Sequence, residues 1–417
     1  MKTRATALMA ATVITTLSVS PAAAEPPDGP PGHSPQAQFT LQADVLDGGE
    51  QVTSVTIDGH RLRPLDEESL TTSTFTVHAE ARYPDDVDLM GEEQTVYAEE
   101  RAVTDAQLTP SGDIQLDLET AFDLPGGATL GYLDPAGRNI TLDLDYTVEQ
   151  EEPLRLRTGR EVTFSALEQG ELVSPEVDAF DTGVSSTGVN YRLSRPAPGR
   201  DQKPLIVWLH GNGEGGHGGF YDNEPQLRAN RGAVGPATPE AQEIFDGAYV
   251  LAPQVPDTWY ETPSADYAQQ LRDLIDEVAG RERIDTDRIH VMGASAGGYM
   301  ATVLISAFPD DFASAVITCP AYTTTGAEDR RVDEEDISRL ADTPTWFINS
   351  TDDPVVPAEE TSMWAHDLLP DSILSLYDEV SFRGVDYPGH FSWIYTAQND
   401  PTYDGVSLWE WMADQSR

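Results

Sequence analysis

Between residues 289 and 308 the chain passes from an apolar run, Ile289-His290-Val291-Met292, through Gly293-Ala294-Ser295-Ala296-Gly297 to a second apolar run from Tyr299 to Phe308. The first run has the length of a buried strand and the second that of a helix, so the glycines mark a strand-to-helix turn with a serine at its tip. A serine there holds backbone dihedrals that most residues avoid, and the flanking backbones pass so closely that only small neighbours fit. Gly298 lengthens the small stretch. Such a turn needs a sheet beneath it and presents a nucleophile at its edge.

The surrounding sequence supplies that sheet. Leu205-Ile206-Val207-Trp208-Leu209, Ala248-Tyr249-Val250-Leu251, Ala315-Val316-Ile317-Thr318 and Trp346-Phe347-Ile348 are continuous apolar runs, and Tyr267, Leu271, Leu274, Ile275 and Val278 fall on one face of a helix between two of them. Strands apolar on both faces and alternating with helices predict a mainly parallel α/β sheet over residues 172–417. Upstream the texture differs. Phe75, Val77, Ala79 and Ala81 alternate with Thr76, His78, Glu80 and Arg82, and Ile140, Leu142, Leu144, Tyr146 and Val148 repeat the pattern. With turn signals such as Asp58-Gly59 and Pro125-Gly126-Gly127 between such runs, residues 37–150 read as an immunoglobulin-like β-sandwich. An acidic, helix-like stretch near 149–170 is expected to provide the connector, 151–171.

At the start of the chain, Lys2 and Arg4 precede an apolar run, and Ala22-Ala23-Ala24 offers small residues for cleavage. Residues 1–24 therefore read as an export signal and 25–36, rich in proline and glycine, as a flexible leader. The apolar run holds roughly 15 residues against about 20 for a membrane span, so the processed protein is expected to be secreted, without a membrane anchor. Cys319 is the one cysteine; no intrachain disulfide can form, and its position after Ala315-Val316-Ile317 marks it as buried. Lys and Arg number 25 against 72 Asp and Glu, a net charge of −47. Nucleic acid and anionic membrane surfaces are thereby disfavoured as partners.

A serine becomes a good nucleophile only when a base takes its proton, and the base is held by a carboxylate. Two histidines follow Ser295. His366 lies in the helix-like stretch Glu359 to Leu369, where packing suffices to explain it. His390, in Tyr387-Pro388-Gly389-His390-Phe391-Ser392-Trp393, lies in a loop beyond the last apolar strand and is the expected base. The carboxylate belongs after Trp346-Phe347-Ile348, where Asp352 and Asp353 are adjacent and spacing alone does not choose. Asp353 precedes Pro354-Val355-Val356-Pro357, a turn able to fix one carboxylate inward. Backbone donors for an oxyanion are expected at Ala296 and in the loop His210-Gly211-Asn212-Gly213-Glu214-Gly215-Gly216, with Asn212 the second donor. No Gly-Lys-Ser/Thr follows that loop, which disfavours a phosphate cradle. His210 reads as structural.

These segments resemble a known group, secreted esterases that join an N-terminal immunoglobulin-like domain to an α/β-hydrolase domain, related to dienelactone hydrolases and prolyl-oligopeptidase-like peptidases. The resemblance rests on Leu209 to Glu214, Ala252-Pro253-Gln254 with Trp259, Asp287-Arg288-Ile289 leading to the Ser295 turn and Tyr299, Asp353 to Pro357, and Gly389 to Trp393. It implies an α/β-hydrolase fold and a triad of Ser295, Asp353 and His390. It also implies a substrate neighbourhood that includes Trp259 and Glu214. Ala296 stands where relatives often carry a bulkier methionine. The implied activity is carboxylic ester hydrolysis without a metal or organic cofactor, falling as His390 protonates. The alternatives are a prolyl-oligopeptidase-type peptidase, a polyhydroxyalkanoate depolymerase or a feruloyl esterase, and, in another class, a binding protein with an inactive hydrolase domain. The charge favours neutral or cationic substrates over anionic ones.

Overall fold

In the computed structural model the continuous apolar runs form one eight-stranded sheet. The model describes residues 35–62, 64–260, 266–327 and 330–417, and the expected signal and most of the leader lie outside them. In spatial order the strands are Phe180–Val184, Asn190–Ser194, Tyr249–Gln254, Lys203–Leu209, Ile284–Ala294, Ser314–Thr318, Thr345–Ser350 and Ile373–Tyr377. Asn190–Ser194 runs antiparallel to both neighbours and the other strand pairs are parallel. At the centre Val207 faces Leu251 on one side and Val291 on the other, and all three are fully buried. Burying such a side chain contributes about 1.5–3 kcal/mol, and helices on both faces of the sheet make that burial possible. The helix Tyr267–Arg281 starts at Asp266, whose carboxylate accepts the Gln269 N–H, and buries Tyr267, Leu271, Leu274, Ile275 and Val278, the face expected from the sequence. This strand order, with the elbow at its centre, is the α/β-hydrolase fold.

The N-terminal part is built from two further sheets. One orders the strands Ala166–Val173, Gln36–Leu46, Gly49–Ile57, Ile114–Leu118 and Val103–Leu108; the other orders Thr95–Arg101, Phe75–Arg82 and Asp143–Gln150. Phe39, Leu41, Val55 and Ile57 of the first share a core with Phe75, Val77, Tyr146 and Val148 of the second. The alternation of Phe75 to Ala81 thus faces inward as expected, while Thr76 to Arg82 line the outer face.

Two expectations are corrected. The stretch 149–170 forms no helix; it ends one strand, makes the short pair Leu154–Arg155 with Glu161–Val162, and enters the strand Ala166–Val173, which pairs in parallel with Gln36–Leu46. Glu168, Gln169, Gly170 and Glu171 are all exposed in that strand, so neither face shows the apolar alternation by which a strand is read. The run Ile140–Val148 is not one strand. Arg138–Thr141 pairs with Leu130–Leu133 as a separate hairpin, and Asp143–Gln150 pairs with Phe75–Arg82. No helix among the described residues is long and apolar enough to cross a membrane.

Candidate active site

The strand Ile284–Ala294 delivers Ser295 to the start of the helix Ala296–Ala307. Ser295 has φ 54° and ψ −117°, a conformation that costs on the order of 1–3 kcal/mol and persists only where the surroundings enforce it. They do so by proximity. A Cβ on Gly293 would lie 2.4 Å from the Gly297 carbonyl oxygen, and one on Gly297 would lie 1.9 Å from that of Leu209. The small residues of the motif are therefore required for the elbow to close against the neighbouring strand.

His390 sits on the turn Gly389–Phe391, with Nε2 3.0 Å from Ser295 Oγ and Nδ1 2.8 Å from Asp353 Oδ2. Asp353 accepts from the Val355 and Val356 N–H groups through Oδ1, at 2.8 and 2.9 Å. With its Nδ1–H donated to the carboxylate, the imidazole turns the Nε2 lone pair to the serine hydroxyl. Asp352 is exposed and accepts from Ser350 Oγ instead. His366 lies apart on the helix Ser362–Leu368, bonded to Ser372 Oγ at 2.8 Å. Trp393 meets the His390 ring edge-on at 5.3 Å. Cys319 is buried beside the pair, just past the end of its strand, and its Sγ donates to the His390 carbonyl at 3.6 Å. Burial pushes its thiol pKa up, so it stays protonated. Among the described residues Cys319, Asp353 and His390 are the one group with metal-ligand spacing; two of the three are engaged in the Ser295 hydrogen-bond chain.

Asn212 opens the turn Asn212–Glu214 and Ala296 opens its helix; residues at these positions have N–H groups that no helical carbonyl accepts. The approach of Gly297 to the carbonyls of Leu209 and His210 brings the two segments together. His210 is structural: Nδ1 donates to the Gly211 carbonyl at 2.6 Å and Nε2 accepts from the Val255 N–H at 3.3 Å. Burial pushes its pKa down to about 4, which keeps the ring neutral. Trp259 is 3% exposed, packs on His210 and Tyr267, and donates its indole N–H to the His210 carbonyl at 2.7 Å. It stands behind the loop, in the core. Glu214 is 7% exposed, and burial pushes its carboxyl up to about 7 against the opposing pull of Asn139, nearby backbone N–H groups and Arg138.

Asn139 and Phe122 were not singled out by the sequence. Asn139 donates to Glu214 Oε1 at 3.1 Å. Phe122 packs on Tyr387 and on Phe391, the neighbour of His390, with ring centroids 4.9 and 5.8 Å apart. Both belong to the N-terminal part, which therefore flanks the loop that carries Asn212 and Glu214 and the loop that carries His390. A cavity of about 540 Å³, walled by Asp47, Phe122, Arg231, Arg383 and Tyr387, lies beside the loop of His390 but includes none of Ser295, Asp353 and His390.

Fold and site together define an α/β-hydrolase. Residues 257–335 match the prolyl oligopeptidase family, a segment that contains Ser295 and ends before Asp353 and His390. A solved thermostable esterase is 27% identical and superposes with a TM-score of 0.73, over 91% of this chain and 99% of its own; that share includes the N-terminal sheets. NocK of Nocardia uniformis subsp. tsuyamanensis is 30% identical over 153 residues, 36% of this chain and 43% of its own. Hydrolase LUC6 of Fusarium sp is 29% identical over 240 residues, 52% of this chain and 50% of its own. The chain spans about half the length of the curated relatives it matches. The chain thus has the α/β-hydrolase fold and is similar to esterases and hydrolases of that fold.

Proposed function

We propose that this chain hydrolyses carboxylic esters through an acyl-enzyme formed on Ser295. The observation that carries the reading is the hydrogen-bond chain Asp353–His390–Ser295, with links of 2.8 and 3.0 Å. His390 Nε2 takes the hydroxyl proton as Ser295 Oγ attacks the ester carbonyl, and Asp353 steadies the imidazolium. The N–H groups of Asn212 and Ala296 receive the oxyanion. The tetrahedral intermediate collapses with the alcohol leaving, protonated by His390, and water activated by the same ring then releases the acid. Peptide hydrolysis is the second reading, favoured by the prolyl oligopeptidase match at residues 257–335. Esters take precedence because an amide's poor leaving group demands closely placed protonation. Further parts of the proposal are an exported protein, an immunoglobulin-like N-terminal module and a preference for neutral or cationic substrates.

The test is turnover by residues 25–417, and by Ser295→Ala, of short and long p-nitrophenyl esters, a feruloyl ester, a polyester film and a prolyl amide. Ester turnover that vanishes in the variant is expected. Turnover of the amide alone would move the assignment to peptidase, and turnover of nothing in a serine-dependent way would leave a binding protein.

A further inference from the structure

The hairpin Leu130–Leu133 with Arg138–Thr141 comes from the N-terminal part, yet consecutive residues on it grip the loop that carries Asn212. Arg138, 9% exposed, donates Nε to the Gly216 carbonyl and Nη2 to that of Asp257, both at 3.2 Å. Asn139 donates Nδ2 to Glu214 Oε1 at 3.1 Å, and the approach is so close that a Cβ on Gly213 would lie 2.9 Å from the same nitrogen. Toward the loop's interior, Glu214 Oε2 lies 2.9 Å from where a Gly211 Cβ would be. One carboxylate thus bonds the hairpin through Asn139 and packs against Gly211, with Asn212 between positions 211 and 214. Its burial leaves little surface for a substrate to touch.

We propose that Asn139 and Glu214 are positioning residues for the oxyanion hole: the Glu214 carboxylate, held from the N-terminal hairpin by Asn139, fixes the turn that aims the Asn212 N–H at the reacting carbonyl. The inference rests on the serine-hydrolase reading above. An oxyanion donor acts through preorganisation, and a misplacement of about 1 Å can cost on the order of 10²-fold in rate. Burying an ionisable carboxyl, here 7% exposed, costs stability that a glutamine would not, so the contact is better explained by what it holds in place than by stability.

Asn139→Ala, Glu214→Gln and the double variant are compared with wild type in the full 25–417 chain, using p-nitrophenyl butyrate as substrate. A trifluoromethyl ketone serves as tetrahedral mimic and a fluorophosphonate counts active serines. Per labelled serine, each single variant is expected to lose about tenfold or more in kcat. KM should stay within about twofold, and the ketone's Ki should rise by the same factor as kcat falls. The double variant should be no worse than Glu214→Gln, since the two residues act as a unit. Unchanged kcat per labelled serine, or a loss that tracks only the labelled fraction, would overturn the inference while leaving the serine hydrolase standing. A wild type that neither labels at Ser295 nor turns over any ester would overturn both.

Discussion

Asp352 and Asp353 carry the same group one residue apart, and what separates them is the backbone that follows. The turn Pro354 to Pro357 points two amides back at Asp353 Oδ1, which leaves Oδ2 for His390. Asp353→Asn keeps an oxygen for the amides but presents an NH2 to the imidazole and reverses its tautomer. We expect kcat to fall about 10⁴-fold with little change in Tm, measured by ester turnover and thermal unfolding; a loss under about tenfold would remove Asp353 from the triad. The strand-to-helix turn at Ser295 was legible because a strand, a small-residue turn and a helix rarely coincide by chance, and its contact with His390 because only two histidines follow it. The choice of aspartate depended on the direction of a side chain, which spacing does not encode. Asn139 lay beyond reach altogether: its contact with Glu214 joins positions 75 apart, and one asparagine in a turn-rich stretch carries no mark of it.

At the scale of elements, buried runs were easy to read and exposed ones were not. Ser314–Thr318 is buried at every position, whereas Ala166–Val173 has no fully buried residue and resembled an acidic helix. The elbow is a joint between two elements, and its tolerance can be measured. Gly297→Ala places a carbon 1.9 Å from the Leu209 oxygen, and overpacking of this kind costs about 1–3 kcal/mol. Lower Tm together with lost turnover is expected, and a variant as stable and active as wild type would contradict the close approach. The same strand carries His290, buried, with Nδ1 on Ser314 Oγ at 2.9 Å and Nε2 without a partner. Burial pushes its pKa down to about 3. The folded state thus keeps it neutral while the unfolded chain takes up a proton below about 6.5. The stability it confers is full above that value and is lost as pH falls toward 3. His210, near 4 in the fold, acts in the same direction. The Tm of His290→Gln should therefore fall less steeply than that of wild type between pH 7 and 4.5; parallel curves would show that His290 is not a source of acid lability.

Over the whole molecule, a net charge of −47 must be reconciled with a fold whose two halves meet closely. Where they meet, several charges are paired. Arg228 bonds the fully buried Glu50 of the N-terminal part and, at 2.9 Å, Glu224, and Arg231 bonds Glu176 at 2.6 Å. Such sheltered pairs are screened little by salt. Many of the other acids are exposed in clusters such as Glu149, Glu151 and Glu152 or Asp333, Glu334 and Glu335, and their mutual repulsion opposes the compact state. Salt shortens its range from about 10 Å at 0.1 M to about 3 Å at 1 M. Sodium chloride should therefore raise Tm across that range, and a flat or falling Tm would mean that local pairs already neutralise the surface. The same field acts on substrates as they approach. For a pair of esters that differ only by a carboxylate, salt should lower KM for the anionic member and leave the neutral one nearly unchanged. If both respond alike, the effect belongs to the protein's stability and not to its field, and the proposed preference for neutral or cationic substrates falls.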